Sequence, residues 1–568
     1  MKYVKSLRLF SILLVFVLIF SLAACGSKSS DKTADQETTN SSQNVSSGEN
    51  LKNDDNSEKK EANPLGKYEP GIEVTAVRPI PDGLKFKEGD SIENNVWTRE
   101  YENTLGIKIK YIWTTPEAQY EQKLNISIAS GDLPDIFRVN SLQLKQLVED
   151  GQLEDLSELY EQYAAPFTKQ VLSGDGGNAL KSCRFDGKLM ALPKMGSAFD
   201  QTHVLWVRTD WLKKLNLPEP KTMEDVFKIS EAFTKQDPDG NNKADTFGLG
   251  VNKDLWGFYA ALEGFFNGFH AFPNIWIENG SGNLVYGSIQ PEMKDALLKL
   301  QVMFKDGQID KEFGVKDSFK VNENANAGKL GMFYGYFWNV GLLSDGKTQN
   351  PEMEWMPFAL PSIDSDPAKV QVPFAISTYY VVRKGAANPE AAIKMYNLLL
   401  EKSFGETAEP EKYNVDKEGT PIFEYPLIYG EPPRKNLDAH LRVVEALDTN
   451  DTSKLNAEEK GYYDNIMAFK NGDISFWKDD RMYGVGGSLS VIDGYSNKGL
   501  FYYNRYFGAP TQTMSEKNST LAQIQLQTFT EIIMGGSIDK FDKYVDDWKK
   551  LGGEQITKEV NDWYTAQK

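Results

Sequence analysis

Cysteine is nearly missing from this chain: its 568 residues include two, Cys25 and Cys183. Cys25 has another use, described below, so the sequence supports no disulfide framework. Histidine is almost as scarce, and His203, His270 and His440 stand far apart, which deprives a zinc site of its usual nitrogen cluster. Basic charge is in deficit. Lys and Arg total 63 against 81 Asp and Glu, a formal net charge of -18, which is the wrong sign for a phosphate backbone and disfavours nucleic-acid binding. The sequence has no GxSxG, HExxH or P-loop. Carboxylates are so abundant that no pair of them singles out glycoside hydrolysis. Cys183 has no histidine near it in sequence, and His270 lies alone among aromatics; both read as structural. No enzyme activity is expected. What the chain does have is apolar bulk, 40% of residues, with 31 Phe, 26 Tyr and 11 Trp, enough for a large globular core.

The N-terminus carries Lys2, Lys5 and Arg8, then a continuous apolar run from Leu9 to Phe20, then Leu22, Ala23, Ala24 and Cys25. The run is short of the roughly 20 residues a spanning helix needs and reads as an export signal over residues 1–24. Small residues followed directly by cysteine resemble the lipobox of bacterial lipoproteins. That resemblance implies a mature chain beginning at a lipidated Cys25, anchored at the extracellular face of the cell membrane. Residues 25–68 follow as a tether. From Gly26 to Leu65 there is no aromatic residue, and such polar sequence cannot bury enough surface to offset its ordering entropy. As a flexible coil the segment would span roughly 35 Å.

Beyond Tyr68 the pattern becomes that of an α/β protein. GIKIKYIW, to Trp113, has strand length and alternation, while Tyr120, Leu124 and Ile128 recur at every fourth residue of a predicted helix over 118–129. A second helix is predicted over 141–149, and an aromatic-rich one from Trp256 through Phe265, Phe266 and Phe269. Near the C-terminus Phe541, Val545, Trp548 and Leu551 share one helical face, a stripe of core type. DPDGNNKAD places oxygen donors at alternate positions, Asp237, Asp239, Asn241 and Asp245, with Lys243 contributing its carbonyl. This spacing can wrap a hard cation such as calcium. It is not an EF-hand, because Gly248 stands where the bidentate glutamate would be and Asn242 where the loop glycine would be; Asn242 can adopt the left-handed conformation.

Four stretches carry a resemblance to one family: GDLPDIFRVNSLQLKQLVEDGQLEDL, LPKMGSAFDQTHVLWVRTDWLKKLNLPEPKTMEDVFKISEAF, GKLGMFYGYFWN and VPFAISTYYVVRKGAANPEAAIKMYNLLL. In order and spacing they resemble the extracellular solute-binding proteins of ABC importers, family 1, in particular the large oligosaccharide-binding lipoproteins. The resemblance implies a two-lobed, periplasmic-binding-protein-like fold of type II, with hinge crossings and a ligand cleft. Lobe one is placed at 69–197 plus 371–435, and lobe two at 198–370 plus 436–568. It further implies a monomer that delivers an oligosaccharide to permease subunits, and a structural calcium on the five loop positions.

Sugars present flat C–H faces and outward hydroxyls, so their sites need aromatic platforms and fixed polar groups. By resemblance the candidates are Asn95 and Trp97 at a helix start, Asn140 and Ser141 after the PDIF strand, Trp256, and Tyr336 with Trp338 in an aromatic loop. For each aromatic the alternative is an ordinary core position. A non-sugar solute such as a peptide, a secreted glycosidase and a surface adhesin stand as the other functional readings.

Overall fold

The computed structural model describes residues 62–568 apart from position 417; the leader, Cys25 and the tether as far as residue 61 lie outside the described residues. Two sheets organise the chain. Strands β1 (Ile72–Ile80), β2 (Ile107–Pro116), β3 (Ile136–Val139) and β4 (Leu192–Pro193) come first. They are followed by β5 (Val204–Arg208), β6 (Phe247–Leu249), β7 (Leu330–Gly335), β8 (Trp355–Phe358) and β9 (Tyr379–Val382). The first sheet has the order β2-β1-β3-β9-β4, with β2, β1 and β3 parallel and β9 antiparallel to both neighbours. The second has the order β8-β5-β7-β6, with β6 and β7 parallel and β5 antiparallel to β7 and β8. This is the α/β class.

Each sheet has its own core. Buried apolar residues form one cluster running from Val74 to Met195 and from Ile376 to Ile428, and a second from Phe199 to Val370 and from Leu437 to Val560. The local rules behind them are ordinary. Tyr120, Leu124 and Ile128 are the buried residues of the helix Glu117–Ser130, which stops at Gly131 with φ 77°. β1 and β3 are tied by Asp135, which accepts from Thr75 through both its hydroxyl (2.6 Å) and its amide (3.0 Å).

Three expectations are corrected. No helix begins at Trp256: Leu255, Gly257 and Ala260 have φ of 62°, 113° and 50°, and the helix that follows is the short Glu263–Asn267. Leu551 leaves its stripe and is 45% exposed, because it lies inside a π-turn, Lys549–Gly553, whose wider winding shifts it off the face set by Phe541 and Trp548. The end of the tether is docked instead of free. The Pro64 and Gly66 carbonyls accept from Asn397 Nδ2 (2.9 Å) and Lys394 Nζ (2.5 Å), and Tyr68 donates to Glu390 (2.7 Å). No helix among the described residues is long and apolar enough to cross a membrane.

Candidate functional site

The strand registers identify which ends of the sheets meet. In the first sheet Tyr379, at the start of β9, pairs with Val139 at the end of β3 and with Pro193 at the end of β4. In the second, Val204 at the start of β5 pairs with Gly335 at the end of β7. The segment 194–203 therefore leaves the first sheet and enters the second at the carboxyl ends of their parallel strands, and 373–378, which follows the short strand Val370–Val372 paired with Phe501–Tyr503, enters the first sheet at that same end, the end where open α/β sheets hold ligands. A third segment runs beside them: Glu431 N–H donates to the Met195 carbonyl (3.1 Å) and Ser197 Oγ to the Pro433 carbonyl (2.7 Å). Just beyond, the buried Asp200 carboxyl, pushed up to about 7 by burial, accepts from Asn436 Nδ2 at 2.6 Å.

On the first-sheet side a recess of about 610 Å³ opens along these segments, with Lys194, Ser377, Thr378, Phe423, Tyr429 and Glu431 in its wall. Lys194 stands over the Tyr429 ring at 5.6 Å. Arg138 lies over the Tyr120 ring at 5.0 Å and pairs with Glu117. Burial and then the Arg138 charge hold the Lys194 ammonium below its ordinary range, against the pull of Glu431, Glu117 and Glu424.

On the second-sheet side, residues 251–262 follow β6 and residues 336–343 follow β7, and the two loops are joined. Tyr259 bridges to Gly335, and Tyr336 N–H donates to the Phe258 carbonyl (3.1 Å). Gly335 has no room for a side chain, since a Cβ there would meet Asn339 Oδ1 at 2.3 Å and the Phe258 carbonyl at 2.9 Å. Half-buried Trp338 stacks on Phe258 (5.4 Å between ring centres, 19°) and meets Tyr336 edge-on (6.1 Å, 68°). Trp256 packs against Phe266 and Phe529.

The seven ligand candidates therefore separate. Asn140 and Ser141 lie just after β3, while Trp256, Tyr336 and Trp338 lie in the loops after β6 and β7. Asn140 is largely committed as a helix cap, accepting from Gln143 N–H (2.9 Å) and donating to Glu121 (3.1 Å). Trp97 and Asn95 do not fit the ligand role. Trp97 has no exposed surface, its Nε1–H donates to the Tyr413 carbonyl (3.2 Å), and its ring packs on Tyr413 at 4.8 Å. Asn95 is also fully buried, capping Trp97 and Thr98 while donating to the Ser91 and Ile92 carbonyls. Sequence reasoning missed Lys194, Tyr429, His203 and Glu263. Only Lys194 had a signal, as the residue directly after a strand at the first crossing.

In the acidic loop Asp237 accepts from the amides of Gly240, Asn241 (both 3.1 Å) and Asn242 (3.0 Å), and Asn242 takes the left-handed conformation at φ 61°. Asn241 Nδ2 donates to Asp239 (2.6 Å) and Asp245 (3.1 Å), while Lys243 N–H donates to Asn241 Oδ1 (2.7 Å). Burial, and then the Asp237 and Asp245 carboxylates beside it, raise Asp239 above its ordinary value. That crowding of hard oxygens suits calcium in kind. Even so, among the described residues no three Asp, Glu, His or Cys side chains converge as a metal cage; here the Asn241 amide stands between two of the carboxylates. Cys183 is buried, bonded to the Ala179 carbonyl (3.3 Å), with its thiol pushed up by burial.

Known proteins place this architecture. The curated relatives include lipoprotein LipO of Bacillus subtilis, 24% identical over 473 residues, or 82% of this chain and 88% of LipO. They also include the polygalacturonan/rhamnogalacturonan-binding protein YtcQ of the same organism, 28% identical over 240 residues, 42% of this chain and 46% of YtcQ. Among solved structures, an HMO binding ABC-transporter associated solute binding protein from Bifidobacterium longum infantis superposes with a TM-score of 0.60 at 18% identity, over 87% of this chain and 98% of that one. The family described as bacterial extracellular solute-binding protein matches residues 85–404, which include both sheets except β1 together with the crossings 194–203 and 373–378, so the chain belongs to the bacterial extracellular solute-binding proteins.

Proposed function

We propose that this protein is a lipid-anchored extracellular receptor that captures an oligosaccharide between two lobes and delivers it to the permease of an ABC importer. The observation that carries this reading is the convergence of the carboxyl ends of both sheets, with aromatic loops on one side and Lys194, Tyr429 and Glu431 on the other. Aromatic faces beside fixed polar groups suit pyranose rings and their hydroxyls. A saccharide is further supported by YtcQ, whose name records polygalacturonan and rhamnogalacturonan binding. Lobe one is 69–197 with 371–435 and lobe two is 198–370 with 436–568, a division supported by the two separate buried clusters. Ligand contacts made by both lobes would favour the closed arrangement. Cys25 carries the lipid, a reading supported by the lipoprotein LipO, and the receptor works as a monomer.

Isothermal titration against oligosaccharides from pectin, xylan, fructan and alginate tests the reading. Binding of at least one chain without release of new reducing ends is the expected outcome. No heat and no thermal stabilisation with any of them would sink the saccharide ligand, and reducing-end release would turn the reading to a glycosidase.

The loop residues Asp237, Asp239, Asn241, Lys243 and Asp245 hold a structural calcium in this reading, which requires Asn241 to turn its amide away and present its oxygen. Calcium bound only to the folded state, at a hundred times its dissociation constant, adds about 2.7 kcal/mol. The melting temperature is therefore expected to be higher in calcium than in chelator, and Asp239→Ala to abolish the difference. Equal melting in both solutions, with no calcium in elemental analysis, would leave a polar turn.

A further inference from the structure

The loop after β6 holds two residues in a backbone conformation that their side chains rarely adopt. Leu255 and Ala260 hold φ of 62° and 50°, and Gly257 between them holds 113°. Leucine and alanine have no local reason to enter the left-handed region, and each such residue persists only where its surroundings over-determine it. Three polar side chains from three places in the chain do this, Asn252 and His203 buried and Glu263 partly so. Asn252, fully buried in the loop just after β6, donates through Nδ2 to the carbonyls of Tyr259 (2.9 Å), Ala260 (3.2 Å) and Trp256 (3.3 Å) and accepts from the Asp254 amide (2.8 Å). His203, on the first crossing, accepts the Gly264 amide at Nδ1 (3.1 Å), so Nε2 bears the proton it shares with the Gly257 carbonyl (3.0 Å). Glu263 accepts the Gly257 amide at Oε1 (3.0 Å). Gly257 is thus gripped at both its N–H and its C=O.

The second carboxyl oxygen of Glu263 is buried and has no hydrogen-bond partner among the described residues. The titratable groups facing it are His203, whose Nδ1 is 4.0 Å away, and Tyr336, which follows β7; among the described residues no Lys or Arg forms an ion pair with it. Burial pushes its carboxyl up to about 8 against the opposing pull of the Gly257 amide, so the neutral form predominates at neutral pH. His203 is pushed down to about 4 by burial and Tyr336 is raised by burial and by Glu263, so neither changes charge between neutral and mildly alkaline pH. A carboxylate in this place would be a buried charge with one oxygen unpaired, which is costly unless it moves toward water. Moving would pull on the Gly257 contact and let the strained residues relax.

We propose that Glu263, acting with Asn252 and His203, is a positioning residue that holds the loop 252–260 in the shape that binds ligand, and that a charge on its carboxyl releases the loop and weakens capture. The proposal rests on the reading that this loop walls the ligand site, and it adds a regulation of that site. Because His203 belongs to the crossing between the sheets, the same contact links the loop to any movement of the crossing.

The sign follows from the acid: protonated and holding below about 8, ionised and loose above. One pH unit above its pKa only about a tenth of the carboxyl stays protonated, so the dissociation constant rises about tenfold at that pH if only the held loop binds. Two measurements decide the matter. The first needs no ligand: acrylamide quenching of tryptophan fluorescence across about pH 6 to 9.5, with Trp256→Phe used to isolate the Trp256 signal. Quenching of Trp256 should increase with a midpoint near 8 in the wild type and stay flat in Glu263→Gln, whose amide keeps the Gly257 contact without a titratable group. The second is titration with oligogalacturonate, whose own carboxylates stay ionised throughout. Its dissociation constant should rise about tenfold from about pH 7 to about pH 9 in the wild type and stay constant in Glu263→Gln.

A flat wild-type quenching profile, or the same step in Glu263→Gln, overturns the proposal. If Glu263→Gln does not fold, the wild-type quenching profile decides alone. Absence of oligogalacturonate binding at neutral pH alongside an intact quenching step would count against that saccharide and leave the loop device standing. Binding with constant affinity from neutral to alkaline pH would overturn the device and leave the saccharide reading intact.

Discussion

Trp97→Ala should destabilise the first lobe by about 3 to 5 kcal/mol, the usual cost of removing a large buried aromatic, and leave the affinity of the folded protein for an oligosaccharide unchanged. Trp97 has no exposed surface, sits between Tyr101 (6.0 Å) and Tyr413 (4.8 Å), and donates its indole proton to the Tyr413 carbonyl. Alanine would leave a cavity and an unpaired carbonyl inside the cluster that also holds β1, β2 and β3. Urea denaturation followed by circular dichroism reads the stability, and titration calorimetry on the folded fraction reads the affinity. A variant that unfolds like the wild type but no longer binds would return Trp97 to the ligand site.

Trp338→Ala is expected to do the reverse, weakening oligosaccharide binding roughly 5- to 150-fold, equivalent to about 1 to 3 kcal/mol of lost aromatic contact, with little change in unfolding. One face of its ring rests on Phe258 and its edge meets Tyr336, yet it stays half-buried at the end of the second sheet that meets the crossings. Loss of binding should be accompanied by loss of the ligand-induced change in tryptophan emission, which Trp338→Phe should also largely remove. Unaltered affinity in folded Trp338→Ala would move the stacking role to Trp256 and Tyr336.

The contrast between these two tryptophans measures how far sequence reading could go. Both follow a turn, both have polar neighbours, and both resemble ligand positions. What separates them is residues 405–429, the segment after the helix Ala391–Phe404, which brings Tyr413 over Trp97 and closes it off. A contact across 316 residues leaves no local pattern to read. The loop after β6 is a similar case. Its aromatic spacing reads as a helix, but Asn252, His203 and Glu263 hold the backbone at positive φ, and a buried polar network outweighs local propensity. At Leu551 the helical face was legible, and the π-turn Lys549–Gly553, which contains it, took it off that face.

By itself the sequence determined the α/β class, the strand of GIKIKYIW, the helix faces of Tyr120, Leu124 and Ile128, the left-handed Asn242, the structural burial of Cys183 and the family, because each depends on local periodicity, local backbone sterics or an ordered set of motifs. Tertiary structure alone decided which ends of the sheets meet, which tryptophan stays half-buried while the other is enclosed, and where burial pushes carboxyl groups toward their neutral form. Those outcomes depend on strand register and on the water that packing excludes, and both are set by residues far apart in the chain.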